Sequence, residues 1–232
     1  MKKTILLGAI ALISFSAFAQ DTSDDGITYG VKAGVTFPTV SATDIVDVTV
    51  KSITSFYVGG VVNIPVHSML SVQPGLTLIG KGGKLSGVDT STGVDVNTSV
   101  ELTPMYLEIP VNLVASFEAG PGKVFVGAGP YLSFGIGGKL KAESTAFGQP
   151  VSDSKDIKFG TNSTSTSASD SKDLKSLDIG LNFLLGYQLT NGLSINGGYG
   201  LGLTNISPNT DLPNNKESVK NSVISVGLGF TF

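Results

Sequence analysis

The side chains that most often carry out acid–base and metal chemistry are scarce in this sequence. It contains one histidine, His67, and no cysteine. A catalytic triad needs a base within hydrogen-bond reach of a nucleophile, with a third group to orient it, and no carboxylate lies near His67 in the sequence. Zinc–thiolate and iron–sulfur sites need cysteine. We therefore interpret His67 as an ordinary turn residue and predict no enzyme, no metal site and no cofactor.

Three charged residues stand apart from the other acidic and basic residues. Lys32, Glu108 and Asp178 lie well inside segments with the pattern of β-strands, whereas the rest lie near segment ends or in the polar stretches between them. One cation and two carboxylates inside strands form a candidate site, provided that the fold brings them together. Their meaning depends on the elements that hold them.

Those elements are strands, because apolar residues alternate with small or polar ones at a period of two. In the first segment the odd positions from Ile27 to Phe37 are apolar, while the even positions hold threonine, glycine and lysine. Eight such segments are predicted along the chain: 27–37, 53–64, 69–80, 102–117, 123–137, 176–189, 193–206 and 221–232.

The connections between these segments alternate in length. Short links rich in Pro, Gly and Asn alternate with long polar ones, predicted near 38–52, 81–101, 138–175 and 207–220. Alternating short and long links are typical of an up-and-down barrel in a membrane. The sequence therefore predicts an all-β fold, an eight-stranded antiparallel transmembrane β-barrel. Both termini would lie at the short-turn end, on the periplasmic side.

The less apolar face of each strand indicates which side faces the lumen. It consists mostly of Gly, Ser, Thr and Asn, which would solubilise a protein poorly but would fit inside a narrow barrel. The apolar face holds no charge, and a lysine at mid-depth on a lipid-facing surface costs about 2–4 kcal/mol. The alternative is a secreted lipocalin-like barrel whose apolar face points inward around a small apolar ligand.

In a membrane barrel, Lys32, Glu108 and Asp178 would project into the lumen as a charged plug. They could form a gate or proton path, or only an interior kept neutral by pairing. The second interpretation is favoured, because eight strands leave a lumen just filled by side chains. No large pore is predicted.

The first residues have the pattern of an export signal. Lys2 and Lys3 precede a short apolar run that ends in Ala-Phe-Ala at 17–19, which predicts a signal peptide over 1–19, cleaved between Ala19 and Gln20. A short segment, 20–26, would precede the barrel at 27–232. Loss of the two lysines would change the formal charge from −3 to −5. With no arginine in the chain, nucleic-acid binding is not expected.

Several stretches resemble the PorT-like "porin family" of outer-membrane barrels, small proteins of the OmpX/OmpA type. The resemblance spans nearly the whole chain after the signal and implies an outer-membrane location, but it does not imply a definite activity. This sequence differs in having no tryptophan, so Phe and Tyr would have to form the aromatic belts. The resembling stretches are GVKAGVTF (30–37), YLEIPVNLVASF (106–117), GAGPYLSFGIGGK (127–139), YGLGLTNI (199–206) and NSVISVGLGFTF (221–232).

The same resemblance gives a meaning to the last strand. Its outward stripe ends in Phe230 and Phe232, which the resemblance implies are the signal read by the barrel-assembly machinery. Other implied partners are outer-membrane lipid and lipopolysaccharide. The third long link, at 138–175, is dense in Ser, Thr, Lys and Asp, so we expect a solvated surface loop that could contact an unknown surface ligand.

Overall fold

The structure, a computed structural model, describes residues 26–43, 49–89, 96–146, 149–160, 172–208 and 218–232. The predicted signal peptide and most of segment 20–26 lie outside the described residues. Every regular element in the described part is a strand, and no helix there is long and apolar enough to cross a membrane. The strands are β1 (Thr28–Thr43), β2 (Thr49–Lys51), β3 (Ser55–His67), β4 (Leu70–Gly80), β5 (Gly83–Asp89), β6 (Val96–Ala119), β7 (Gly122–Ala146), β8 (Gln149–Asp156), β9 (Leu177–Leu189), β10 (Leu193–Gly202) and β11 (Ser218–Thr231).

Eight of these strands form a closed antiparallel ring in the order β1-β3-β4-β6-β7-β9-β10-β11. The ring closes where β11 pairs with β1, in a continuous register from Gly30↔Thr231 to Thr43↔Ser218. Closure gives every strand of the ring two neighbours, so its backbone N–H and C=O groups are paired without help from water. The predicted eight-stranded barrel is confirmed.

The period-two pattern sets which side chains face outward. Leu185, Ile195 and Leu228 belong to the predicted apolar face and are among its most exposed members. The interleaved glycines and polar residues line the interior. The lipocalin-like alternative is therefore wrong, because the apolar face points away from the lumen.

Glycines on the inner face let large rings lie against the barrel wall. A Cβ at Gly180 would collide with the Tyr131 ring, and a Cβ at Gly34 or Gly227 would collide with Tyr57. At each of these glycines the aromatic ring occupies the space that a side chain would take. The rings therefore fill part of the lumen without widening the barrel.

The ring strands extend beyond the barrel on the long-loop side. The sequence predicted strands at 102–117 and 123–137, but β6 and β7 run to 96–119 and 122–146 and continue as a paired ribbon. β5 and β8 add to its two sides, and β2 pairs with β5. Much of the stretches predicted as loops at 81–101 and 138–175 is therefore strand.

The third long link is also more ordered than predicted. β8 pairs with β7 along its whole length, and Ile157 and Leu174 are buried in an apolar cluster with Ile206. In this link 139–146 and 149–156 are paired strand, which corrects the expected loop, although β8 remains exposed to solvent from Val151 to Asp156. Ile157 and Leu174 are buried because other segments supply the apolar surface that this link lacks alone. Residues 161–171 lie outside the described part.

The end of β11 offers a first test. The backbone N–H of Phe232 donates to the Tyr29 carbonyl at 2.8 Å, and the Phe232 ring contacts that of Phe230 edge-on at 5.2 Å between centroids. Deleting Phe232 removes the last bond of the closing seam, so we expect much less folded protein in the membrane fraction. Gel mobility in SDS with and without boiling measures this, because a closed barrel migrates faster unboiled. Phe232→Tyr, which keeps the ring, should assemble normally; normal amounts of the deletion variant would contradict the assigned role.

Candidate functional site: the closed lumen

The interior of the barrel contains a buried ion cluster centred on Lys81, the residue after β4. Its Nζ lies 2.9 Å from Glu108 Oε2, 3.0 Å from Asp178 Oδ2 and 3.0 Å from Ser133 Oγ. Lys81 is 1% exposed, Glu108 5% and Asp178 0%. An ammonium group has three hydrogens, and here it has three oxygen acceptors. We call these four residues the ion cluster.

The two carboxylates of the ion cluster have further donors. Glu108 Oε1 accepts from Asn182 Nδ2 at 3.0 Å, and its Oε2 also accepts from Ser133 Oγ at 3.0 Å. Asp178 Oδ2 accepts from Asn221 Nδ2 at 3.0 Å. Buried charges are tolerated when their remaining lone pairs are satisfied in this way.

Two aromatic rings complete the surroundings of the ammonium. The centroid of the Tyr131 ring lies 4.0 Å from Lys81 Nζ, and that of Tyr106 lies 5.3 Å away. A ring face attracts a cation within about 6 Å. The tyrosines therefore stabilise the ammonium on the sides that the carboxylates leave open.

Strand register explains how distant residues meet here. Glu108 on β6 is directly opposite Ser133 on β7, which is directly opposite Asp178 on β9. The three form one row across the inner wall. Lys81 continues the inward alternation of β4, which runs through Thr77 and Ile79, so its side chain enters the lumen from the long-loop end.

The structure brings together two of the three charged residues singled out in the sequence. Glu108 and Asp178 meet at the ion cluster, but their partner is Lys81. Lys32 lies on β1, with its Nζ 6.0 Å from the centroid of the Tyr57 ring. No carboxylate of the described residues lies within 4.0 Å of it. Sequence reasoning missed Lys81 because the two glycines after it suggest a turn, although the alternation of β4 indicates its direction.

An apolar cap covers the ion cluster on the long-loop side. Tyr106, which is fully buried, contacts the Phe159 ring edge-on at 5.7 Å between centroids. Phe159 lies against the backbone of Gly135, where any side chain would collide with it. Above them Ile157, Leu174 and Ile206 pack together with Phe159 and with partly buried side chains of the extended strands, such as Leu102 and Leu140. The ion cluster and this cap together close the lumen at its long-loop end.

The other half of the lumen is open. A cavity of about 670 Å³ extends from the ion cluster to the short-turn end, where its lining includes Glu118, Lys123 and Asn191. The expectation that side chains just fill the lumen is therefore wrong for this half. The small residues of the inner face leave the space unfilled.

The single histidine takes no part in either half. His67 ends β3, and its Nδ1 lies 3.1 Å from Ser68 Oγ in an exposed position. Within the described ranges, no group of His, Asp and Glu side chains could hold a metal ion.

The barrel and its outward apolar face agree with a comparison of the sequence with protein families. The family model described as "Outer membrane protein beta-barrel domain" matches residues 18–207. The chain belongs to this family. It is therefore a protein of the outer membrane, and the apolar face of its barrel is the surface that contacts lipid.

Solved structures that resemble this outer-membrane barrel share little sequence with it. Ail, the attachment invasion locus protein of Yersinia pestis, is 12% identical with a TM-score of 0.37, over 88% of this chain and 98% of Ail. Neisserial surface protein A is 15% identical with a TM-score of 0.41, over 89% and 99%. The outer membrane protease OmpT from Escherichia coli is 10% identical with a TM-score of 0.35, over 92% and 100%. Comparison with curated proteins finds no match. These likenesses assign no activity.

The ion cluster leads to a second test. Lys81→Met leaves two carboxylates buried without their cation, and breaking a buried pair in this way costs about 3–5 kcal/mol. The free energy of unfolding in lipid bilayers, measured by urea titration, should fall by that order. Lys51→Met, at an exposed position on β2, is the matched control and should have little effect.

A combined variant separates charge from packing. Lys81→Met with Glu108→Gln and Asp178→Asn removes all three charges, and it should recover part of the lost stability. If the single and triple variants were equally unstable, the charges would not be what the cluster contributes.

Proposed function

We propose that the protein is an integral outer-membrane barrel of the PorT-like kind with a structural or surface-interaction role, without catalysis and without a large pore. The observation that carries this proposal is the closure of the lumen. The ion cluster and the apolar cap lie one above the other across the barrel, so no water-filled path crosses it. Any role in contact with the cell exterior then falls to the surface beyond the cap.

That surface is an ordered sheet built by β5, β6, β7 and β8. An ion pair joins two of its strands, Lys84 on β5 to Glu143 on β7 at 3.4 Å, and a second ties Lys155 on β8 to Asp173 in the segment before β9 at 2.6 Å. Hydrogen bonds from Lys141 and then Lys84 hold the pKa of Glu143 below its ordinary value, so this carboxylate stays charged at neutral pH. An ordered, charged sheet suits contact with a partner better than a mobile loop does.

The proposed orientation follows from the difference between the two ends of the barrel, which has short turns at one end and the sheet at the other. The short turns and both ends of the described barrel would face the periplasm, and the sheet would face outward. Lipopolysaccharide and lipid would surround the barrel wall. The assembly machinery would recognise the terminal stripe of Phe230 and Phe232. The surface ligand has no chemistry assigned to it.

The absence of catalysis is part of the proposal. His67 has Ser68 as its hydrogen-bond partner and no carboxylate of the described residues in hydrogen-bond contact, so the base–orienter pair of a triad is missing there. The likeness to a protease at 10% identity reflects the barrel alone.

The proposal predicts that the protein shows no steady conductance in planar bilayers. It also predicts that an introduced thiol can be labelled from only one side of the outer membrane. Because the chain has no cysteine, one introduced thiol is a unique label. Asn63 lies on the open cavity, and Lys51 is exposed on β2, which pairs with β5 at the edge of the sheet; each is replaced by cysteine in turn. On intact cells a membrane-impermeant maleimide should label only Lys51→Cys, and after permeabilisation of the outer membrane it should label both. Purified protein should show no steady conductance.

The other outcomes have definite meanings. Labelling of Asn63→Cys alone on intact cells would reverse the orientation. Labelling of both variants on intact cells, together with steady conductance, would show a through-path and would overturn the closed-barrel proposal.

Structural and interaction roles can be separated in a strain that lacks the protein. Val151, which is 68% exposed, and Asp153 lie on β8 away from the cap, so Val151→Lys with Asp153→Lys changes the surface of the sheet. If the role is structural, this variant should restore envelope integrity as well as the unchanged chain does. If the role is interaction, it should fold but fail to restore cell-surface adhesion. Failure of the unchanged chain to restore either property would overturn the proposal.

A further inference from the structure

Two polar atoms on the wall of the open cavity have unused hydrogen-bonding capacity. Thr77 Oγ1 and Asn112 Oδ1 have no hydrogen-bond partner among the described residues, although each residue is only 2% exposed. Both residues line the cavity. Polar groups this deeply buried normally have a partner. Each atom has almost no accessible surface of its own, so a rotation of its side chain must turn it toward the cavity before a molecule there can donate a hydrogen bond to it.

Lys32 adds a positive charge to the same wall. It lines the cavity. The carboxylate of Glu108 does not serve as its partner, because both of its oxygens already accept from Lys81, Ser133 and Asn182. Lys32 and Thr77 are both directly opposite Gly59, one on each neighbouring strand. The missing side chain of Gly59 lets Thr77 pack against the strand, because a Cβ at Gly59 would lie 2.6 Å from Thr77 Oγ1. Lys32 and Thr77 therefore lie on the same stretch of the cavity wall.

The shape of the cavity defines how such a ligand would enter. The space ends blindly at the ion cluster and reaches the short turns, and its volume of about 670 Å³ falls in the range of small-molecule sites. Amide side chains, among them Gln73, Asn182 and Asn196, line the wall with aromatic rings such as Phe125. Amides and rings together suit hydroxylated molecules better than apolar ones.

We propose that this cavity binds a small polyhydroxylated solute carrying one anionic group, a carboxylate or a phosphate. The anionic group lies against the Lys32 ammonium, and hydroxyl groups of the solute bond to Thr77 Oγ1 and Asn112 Oδ1 once these side chains have rotated toward the cavity. Lys32 and Lys81 together only balance the two carboxylates of the ion cluster, so no positive charge is left for a second anionic group. In the orientation proposed above, the solute enters from the periplasm, but binding itself does not depend on that orientation.

The experiment uses the complete folded barrel in lipid nanodiscs with three probes. D-gluconate carries a carboxylate, glycerol 3-phosphate carries a phosphate, and D-glucitol is the uncharged counterpart of gluconate. Titration followed by amide chemical shifts should show saturable binding for at least one anion, with perturbed resonances on the cavity wall. Glucitol should bind about tenfold more weakly than gluconate, because it lacks the charge-assisted bond to Lys32.

Matched variants identify the residues responsible. Lys32→Met should weaken binding of the anion about tenfold or more, whereas Lys51→Met, at an exposed position on β2 outside the cavity lining, should leave binding unchanged. If Lys32→Met does not fold, Thr77→Val keeps the shape without the hydroxyl and should weaken gluconate and glucitol alike.

Two results would overturn the inference. One is the lack of saturable binding for all three probes, which would make the cavity a water-filled space only. The other is anion binding that Lys32→Met leaves unchanged in a folded barrel. Neither result would bear on the closure of the long-loop end, which conductance and labelling test separately.

Discussion

The interior of this barrel depends on one ammonium group shared by two carboxylates. Lys81 follows β4, Glu108 lies on β6 and Asp178 on β9, so the contact joins different parts of the wall. Backbone hydrogen bonds close the wall itself and need no side chain for that purpose. They do not fix what fills the lumen. The ion cluster does, because each of its charges would be costly to bury without the others.

The apolar cap and the ion cluster support each other. A charge pair attracts more strongly where the surroundings exclude water, since the effective dielectric is lower there. Phe159, Ile157 and Ile206 exclude water on the long-loop side, and the rings of Tyr106 and Tyr131 lie beside the ammonium. The cap in turn packs on the ion cluster, whose charged groups are paired with one another. Closure is therefore a property of the two layers together.

The sequence alone was sufficient to predict the barrel but not to predict the contacts in its interior. Alternation at a period of two is a local pattern, and it predicted the ring and its outward face because each strand displays that face by itself. The extensions of β6 and β7 were missed, since residues such as Glu101 and Lys141 become strand only by pairing with each other across the ribbon. Lys81 was missed for a related reason: its glycine neighbours suggest a turn, and its acceptors come from distant strands. The cap depends on Phe159 meeting Gly135, a contact that neither local segment indicates.

The inner face also explains why one lumen has two different halves. Toward the long loops, rings and charges occupy the space that the glycines leave, as Tyr131 does over Gly180. Toward the short turns, the small side chains have fewer large neighbours, and the space stays open around Lys32. Lys32 and Lys81 together balance the charges of Glu108 and Asp178, yet only Lys81 is in contact with them. A neutral interior is thus achieved with one cation held in hydrogen bonds and the other left facing the cavity. That distribution keeps the outer half closed and leaves the inner half able to receive a negative charge from outside the chain.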